Sequence, residues 1–192
     1  MSVTHSAGNV VEPAWVGEVL HFWFDELEAA QWFAKSDAID SHIRARYLPL
    51  HRRVVAAGGS IAMTQRPLLA AVIVLDQFSR NLFRGTPRAF AADPIARQLS
   101  RAAIKQRFDE AMNEHERLFL YMPFEHSEDR KDQAMAVELI ARLGNEDWTR
   151  DAFAHKTIID QFGRFPHRNA ILDRLSSPDE AKLLQDPKGW WY

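Results

Sequence analysis

The sequence predicts a single all-α domain, and three observations support that prediction. The chain has 192 residues, 46% of them hydrophobic, close to the ~150 residues typical of one domain. Proline, serine and glycine stand where helices would begin and end. Alternating strand patterns and Asn-Gly or Asp-Gly hairpin signals are missing. The apolar run 70–75 leaves an α/β alternative open, because a short buried strand has the same pattern, although no other run resembles a partner strand.

Sequence punctuation predicts the main helices in order. A proline at the first helical position, or a capping side chain before it, marks four starts. Ser177 with Glu180 also has the spacing of a capping box, in which each side chain binds the other's backbone N–H. The predicted start residues are Pro67, Asp93 with Pro94, Ser127 and Ser177.

Four further helices are predicted at 13–24, 36–57, 110–121 and 148–162, giving about eight joined by short loops. Pro49 should kink or split the second of them, since proline lacks the N–H that a helix needs. Residues 1–12 are expected to be a disordered tail and 13–192 one domain. The final Trp190, Trp191 and Tyr192 are expected to dock on the body or on a second copy, as a possible homodimer.

Composition excludes several classes of site and partner. Cysteine is absent, so disulfides, thiolate zinc, iron–sulfur clusters and a cysteine nucleophile are excluded. The formal charge of −2 gives no general attraction to nucleic acid. The longest apolar run is too short to cross a membrane, and the first residues do not resemble a signal peptide. We therefore expect a cytoplasmic protein without nucleic-acid or membrane partners.

A polar pattern occurs twice along the chain. Asp76-Gln77-Phe78-Ser79-Arg80 is repeated as Asp160-Gln161-Phe162-Gly163-Arg164. Asp and Arg four residues apart lie on one helix face and can pair. Such a pair either ties a helix end to its loop or contributes to a ligand site. The repetition suggests stacked helical hairpins.

The densest polar cluster is residues 125–129. His126 is a candidate general base, which the carboxylate of Glu125 or Asp129 would orient, with or without a divalent metal. The alternative is structural: Ser127 caps the next helix, and the acidic residues interact favourably with its dipole. These three residues are the candidate catalytic groups, and no metal ligand set is assigned.

Three segments resemble a bacterial family, domain of unknown function 924. They are 75–86 (LDQFSRNLFRGT), 119–129 (FLYMPFEHSED) and 162–169 (FGRFPHRN), and 19–24 (VLHFWF) also fits. The resemblance covers roughly residues 14–190. It implies an all-α fold like the tetratricopeptide superhelix, but no established activity and no catalytic residues. Ser79 departs from the pattern, where proline is expected.

Two functions remain open. The first is binding of a small anionic or zwitterionic ligand, or a peptide, in a pocket lined by arginine, aspartate and histidine. The second is a hydrolase or transferase using the histidine–carboxylate base; a structural interaction module is a weaker third. Common hydrolase motifs such as His-Glu-x-x-His and Gly-x-Ser-x-Gly are absent, and the cofactor is unknown. The predicted ligand-binding residues are Asp76, Gln77, Arg80, Asn81, Arg84, Asp160, Gln161, Arg164, His167, Arg168 and Asn169.

Overall fold

The structure is a computed structural model that describes residues 12–61 and 64–185. Over those residues it is predominantly helical and contains no β-strand, which confirms the all-α prediction. The helices are α1 (Ala14–His21), α2 (Ala29–Trp32), α3 (Asp37–Ala57), α4 (Gln65–Ile73), α5 (Ser79–Leu82), α6 (Asp93–Lys105), α7 (Glu114–Glu125), α8 (Arg130–Ala141), α9 (Glu146–Phe162) and α10 (Pro178–Leu184).

The centre of the fold is α4 together with the turn of π-helix, Val74–Phe78, that follows it. Every residue from Pro67 to Phe78 is buried. A helix that is apolar on all sides is stable only when neighbours cover it, and α1, α6 and α7 pack around α4 while α3 packs on the π-helical turn. The run that the α/β alternative would make a strand is therefore the central helix.

The predicted start at Ser127 is wrong. Helix α8 begins at Arg130, and the Asp129 side chain caps it by accepting the backbone N–H groups of Lys131 at 2.8 Å and Asp132 at 3.2 Å. Ser127 instead donates its hydroxyl to the Asp132 carboxylate at 2.7 Å. A carboxylate two residues further on is an equally good cap, and it leaves the serine for a buried contact.

Other helix boundaries differ from the predicted ones for local reasons. Asp93 is the first residue of α6 and does not precede it, and Pro67 is the third residue of α4. Pro49 lies inside an uninterrupted α3, because the buried neighbours Tyr47 and Leu50 hold the helix against the loss of one backbone hydrogen bond. The capping box at Ser177 is confirmed.

Helices α7, α8 and α9 pack on one another in sequence, and the tetratricopeptide-like arrangement stays a prediction. None of the helices in 12–61 and 64–185 is long and apolar enough to span a membrane.

The tail at 1–11 and the aromatic residues 190–192 lie outside the described residues. A small apolar group beside the main core, Ile158, Ile159 and Phe165, supports the loop after α9.

Candidate functional site

The structure brings parts of the three family-like segments together in one buried polar cluster. The segments contribute the π-helical turn after α4, the carboxyl end of α7, and the loop after α9. A histidine of α9 completes the set. We call this set the buried polar cluster; its members are Asp76, Arg80, Glu125, His126, His155 and Arg168.

Asp76 orients His126. The Asp76 side chain is fully buried, its Oδ1 lies 2.9 Å from His126 Nδ1, and its Oδ2 accepts the Gln77 amide at 2.6 Å. Burial alone would raise the pKa of Asp76, but His126, Arg80 and Gln77 together lower it to about 2. Asp76 is therefore a carboxylate that can only accept, so Nδ1 of His126 carries the proton.

The second ring nitrogen of His126, Nε2, faces away from Asp76. Within the described parts of the chain, no residue forms a hydrogen bond with Nε2, and the side chain is 21% exposed. The predicted backing of His126 by Glu125 or Asp129 is wrong, because the carboxylate that orients it comes from a distant segment. An imidazole held at Nδ1 by a buried aspartate presents Nε2 to a ligand in a fixed direction.

The π-helical turn places Asp76 and Gln77 side by side. Successive residues of an α-helix point about 100° apart, yet both side chains here are buried and bonded to each other. Wider π-helical turns are rare and occur frequently at functional sites. This turn is what aims a carboxylate at the end of α7.

Arg80 is held by two acidic residues. Its guanidinium donates to both oxygens of Asp93, at 2.8 and 2.9 Å, and to the Ala89 carbonyl. The predicted contact with Asp76, one helical turn earlier, is longer at 3.8 Å. Asp93 is thus the main partner, and Arg80 links α5 to the start of α6 with a forked, charge-assisted pair.

Glu125 pairs with His155 of α9. The His155 Nδ1 lies 2.9 Å from Glu125 Oε1 and 3.0 Å from the Asp151 carbonyl. Burial alone would lower the pKa of His155, but the Glu125 carboxylate outweighs it and the pKa is raised. The rings of His155 and His126 are 6.4 Å apart, so two imidazoles lie side by side at the cluster.

Arg168 is a buried cation that has no carboxylate partner among the described residues. The residue is 7% exposed, and its guanidinium lies 4.6 Å from the Phe90 ring centre and 4.5 Å from that of Phe165. Its Nε atom is buried and has no hydrogen-bond partner within the described part of the chain. Burial, followed by the charge of Arg80, lowers the pKa of Arg168 to about 10. A guanidinium remains charged at that value, so the cation is retained.

His167 lies next to Arg168 in the same loop, with its ring 5.5 Å from Phe165. Burial, followed by the charge of Arg168, lowers the pKa of His167 to about 3. This imidazole is therefore neutral at physiological pH. It adds a polar, uncharged edge to the cluster.

Two predicted ligand-binding residues lie elsewhere, against α3. Asn81 donates to Asp40 at 2.8 Å, and Arg84 forms a forked pair with the same carboxylate at 2.6 and 2.8 Å. Both tie α5 and the loop after it to α3. Asn169 is buried and donates to Ser176 at 3.1 Å.

The second copy of the polar pattern is not equivalent to the first. Asp160 pairs with Lys156, so the predicted pairing with Arg164 is wrong. Arg164 binds Glu180 through two nitrogens at 2.6 and 2.8 Å, and Gln161 is exposed at the end of α9. The copy has no π-helical turn to bury its aspartate. Gln161, Phe162 and Arg164 of this copy border a shallow depression of about 450 Å³ beside α10.

Comparison with known proteins identifies the family. The family model described as "Bacterial protein of unknown function (DUF924)" matches residues 19–188. The chain belongs to this family. A solved structure of a protein of unknown function from Agrobacterium tumefaciens is 36% identical, with a TM-score of 0.82 over 90% of this chain and 98% of that chain. None of the curated proteins compared with the chain matches it.

Several supporting residues of this DUF924 protein escaped sequence reasoning. Glu128 accepts the Phe165 backbone N–H at 2.8 Å and pairs with Arg174, which fixes the loop that carries Arg168. Gln133 donates to the carbonyls of Glu125 at 2.6 Å and Ser127 at 2.7 Å. The sequence places Glu128 within a family-like segment, but no local pattern marks Gln133. Among residues 12–61 and 64–185, no group of three acidic or histidine side chains could hold a metal ion.

Proposed function

We propose that this DUF924 protein binds a small anionic or zwitterionic ligand, with Arg168 as the cation that receives it. The observation that carries this function is that Arg168 is 7% exposed and its guanidinium has no carboxylate partner in the described chain. The other strong cation of the cluster, Arg80, already has Asp93. Arg168 is therefore the group whose charge is left for a ligand.

Energetics support a missing anionic partner. Burying an uncompensated charge costs several kcal/mol, whereas contact with an aromatic ring returns about 0.5–2 kcal/mol. The Phe90 and Phe165 rings touch the guanidinium but cannot accept its in-plane hydrogen bonds. Carboxylate and phosphate oxygens match the planar fork of a guanidinium. The ligand would therefore carry a carboxylate or a phosphate.

Binding is tested by thermal shift with sulfate, phosphate, acetate, amino acids and nucleotides, together with native mass spectrometry for a ligand that co-purifies. We expect stabilisation of the wild type by at least one anion, because a ligand that binds only the folded state raises the melting temperature. The Arg168→Met variant should lose that shift. Arg142→Met, which removes a charge from an exposed side chain just after α8, should keep it.

Two outcomes would contradict binding at Arg168. One is an equal ligand-induced shift in wild type and Arg168→Met, which would place the ligand elsewhere. The other is no shift with any of these anions and no co-purified ligand. A large fall in the melting temperature of unliganded Arg168→Met would instead make the arginine a structural residue.

A second candidate function is hydrolysis or group transfer with His126 as general base. It is favoured by one observation: the buried Asp76 fixes Nδ1 and leaves Nε2 free among the described residues. Positioned bases of this kind contribute about 10²–10⁴-fold to a rate. A panel of p-nitrophenyl esters and phosphates tests it, with turnover expected in wild type and lost in His126→Gln. Absence of turnover, or equal turnover in the variant, removes this candidate.

A further inference from the structure

We propose that this protein has a second binding surface, a row of partly exposed aromatic rings that binds an extended basic segment of another protein through its lysine or arginine side chains. We call this row the aromatic surface patch; its members are Trp32, Phe33, His115 and Trp148. His115 stands at the start of α7 and His126 just after its end, about 17 Å apart along the helix. The patch is therefore independent of the binding site proposed above.

The rings of the patch follow one another without a gap. The His115 ring centre lies 5.1 Å from that of Trp32 and 5.4 Å from that of Trp148, and Trp32 contacts Phe33 at 6.4 Å. Both tryptophans pack against the core and are only partly buried, as is His115. The row is thus anchored on the core side and open to solvent on the other.

Phe33 presents a ring face to solvent. The residue is 43% exposed, and its ring stacks on that of the buried Phe119, with 13° between the planes and 6.2 Å between the centres. Because one face of the Phe33 ring turns toward Phe119, the opposite face is the exposed one. Ring faces are the negative part of the aromatic charge distribution and attract ammonium and guanidinium groups.

The starts of α7 and α9 meet at the patch. His115 is the second residue of α7 and Trp148 the third residue of α9, so the contact between their rings brings the two first turns together. Both turns are acidic. Their carboxylates belong to Glu114, Glu116, Glu146 and Asp147.

This negative charge is only partly compensated. Asp147 pairs with Arg150 at 2.8 Å, whereas neither Glu114 nor Glu146 has an ion-pair partner in the described chain. Lys35, two residues after Phe33, is exposed and adds one positive charge. Each helix start contributes about half a positive charge. The four carboxylates outweigh these contributions, so the rim of the patch favours a cation.

The helix starts have no donors to offer an anion. In α7 the Asn113 side chain accepts the Glu116 N–H at 3.0 Å. In α9 the Asn145 side chain accepts the N–H groups of Asp147 and Trp148, each at 3.1 Å. Because side chains of the protein already occupy these groups, charge complementarity selects a basic partner.

The spacing of the rings favours an extended segment over a single small cation. Neighbouring ring centres are 5.1 to 6.4 Å apart, close to the ~6.6 Å between alternate side chains of an extended chain. A segment with lysine or arginine at alternate positions would therefore place successive cations over successive rings. Arginine also stacks its planar group on aromatic faces.

Fluorescence anisotropy with the full chain tests this surface. The probe is a labelled peptide of alternating lysine and glycine, and its counterpart has glutamate for lysine. We expect the lysine peptide to bind and the glutamate peptide not to bind. Raising the salt concentration from about 20 mM to about 150 mM should weaken binding, because exposed charges are screened.

Ring variants separate cation–π recognition from plain apolar contact. Phe33→Leu and Trp148→Leu should each weaken binding by about two- to fivefold, the fold-change of one exposed cation–π contact, whereas Phe33→Tyr should keep the wild-type affinity. Phe153→Leu is the matched control, since Phe153 is 53% exposed on α9 beyond its first turn, and it should change nothing. Should Trp148→Leu fail to fold, the exposed Phe33 carries the test.

Charge variants test the acidic rim. Glu114→Gln should weaken binding, and Glu138→Gln, on an exposed α8 side chain, should not. No binding of the lysine peptide by wild type overturns the proposal. Wild-type affinity in the leucine variants at 33 and 148 also overturns it, because the peptide would then be held by charge alone. Equal losses in Phe33→Leu and Phe153→Leu would do the same, since binding would not be confined to the patch.

Discussion

His126 Nδ1 lies 2.9 Å from Asp76 Oδ1, although 50 residues separate them in the chain. The contact joins the two longest family-like segments, one at the buried end of the central helix and one at the end of α7. Because Asp76 is ionised, it fixes the proton on Nδ1 and the direction of Nε2. The central position of α4 therefore determines the orientation of the imidazole.

Asp76→Asn should destabilise the protein by about 2 kcal/mol or more, because it removes one partner of a buried charged pair. The folded pKa of Asp76 is about 2, below its usual 3.8. Its contribution is therefore complete above pH 3.8 and is lost as pH falls toward 2. Chemical denaturation at neutral and acidic pH measures both effects, and the variant should lose less stability on acidification than wild type does.

Asp160→Asn is the matched control, since Asp160 occupies the corresponding position in the second copy and its side chain is 47% exposed. We expect a change within about 0.5 kcal/mol. Equal losses in the two variants would show that burial of Asp76 does not determine its contribution.

Arg80→Lys should cost about 1–3 kcal/mol, although it conserves charge. A lysine ammonium cannot reproduce the fork that reaches both oxygens of Asp93. Arg84→Lys is the comparison, because Arg84 forms the same fork with Asp40 but is more exposed, 33% against 20%. Urea denaturation should rank Arg80→Lys as the more damaging; the reverse ranking would contradict the assigned importance of the buried fork.

His51 should make the protein sensitive to mild acid. It is buried, shares a 2.8 Å hydrogen bond with Ser79, and burial followed by Arg88 lowers its pKa to about 4. The unfolded imidazole binds a proton below about pH 6.5 and the folded one does not. Stability is therefore full above pH 6.5 and falls toward pH 4, by up to about 3 kcal/mol.

Melting temperatures from about pH 7.5 to about pH 4.5 measure this loss. His51→Gln should flatten the pH dependence, whereas His21→Gln, with a side chain 63% exposed, should not. An unchanged slope in His51→Gln would assign the acid sensitivity to other groups, of which His167 shifts in the same direction.

Gln133→Leu should loosen the end of α7 that carries His126. The Gln133 amide satisfies buried carbonyls of Glu125 and Ser127, and leaving such groups unpaired costs about 1–3 kcal/mol. Amide hydrogen exchange should accelerate at the end of α7. Gln106→Leu, which removes an exposed 3.3 Å contact on α6, should leave exchange there unchanged.

The sequence predicted elements whose causes are local. The capping box at Ser177 and the helix at 148–162 depend on residues a few positions apart, and both are present in the structure. The choice between Ser127 and Asp129 as a cap depended on a tertiary contact, because Asp132 takes the serine hydroxyl. Local pattern cannot show such a competition.

The candidate site was predictable only as a set of segments. Asp76, Arg80, His126 and Arg168 were identified from polar patterns, and the fold brings them together. Which carboxylate orients His126 could not be read from sequence, because its neighbours Glu125 and Asp129 are closer along the chain than Asp76. The apparent repeat at Asp160 was misleading, since matching letters at an exposed helix end do not create the same environment.

The extra width of the π-helical turn Val74–Phe78 has a consequence for engineering the chain. Deleting one residue there would let the backbone close into an ordinary helix, which is a favourable local change. Because a π-helical turn absorbs one extra residue, the segments after it would keep their orientation relative to α4, and the change would fall on Asp76 and Gln77 within the turn. A shortened protein of this kind would keep its helical content and its outer packing but lose the contact of the Asp76 carboxylate with His126, so the most regular version of this helix is the one that cannot orient the imidazole.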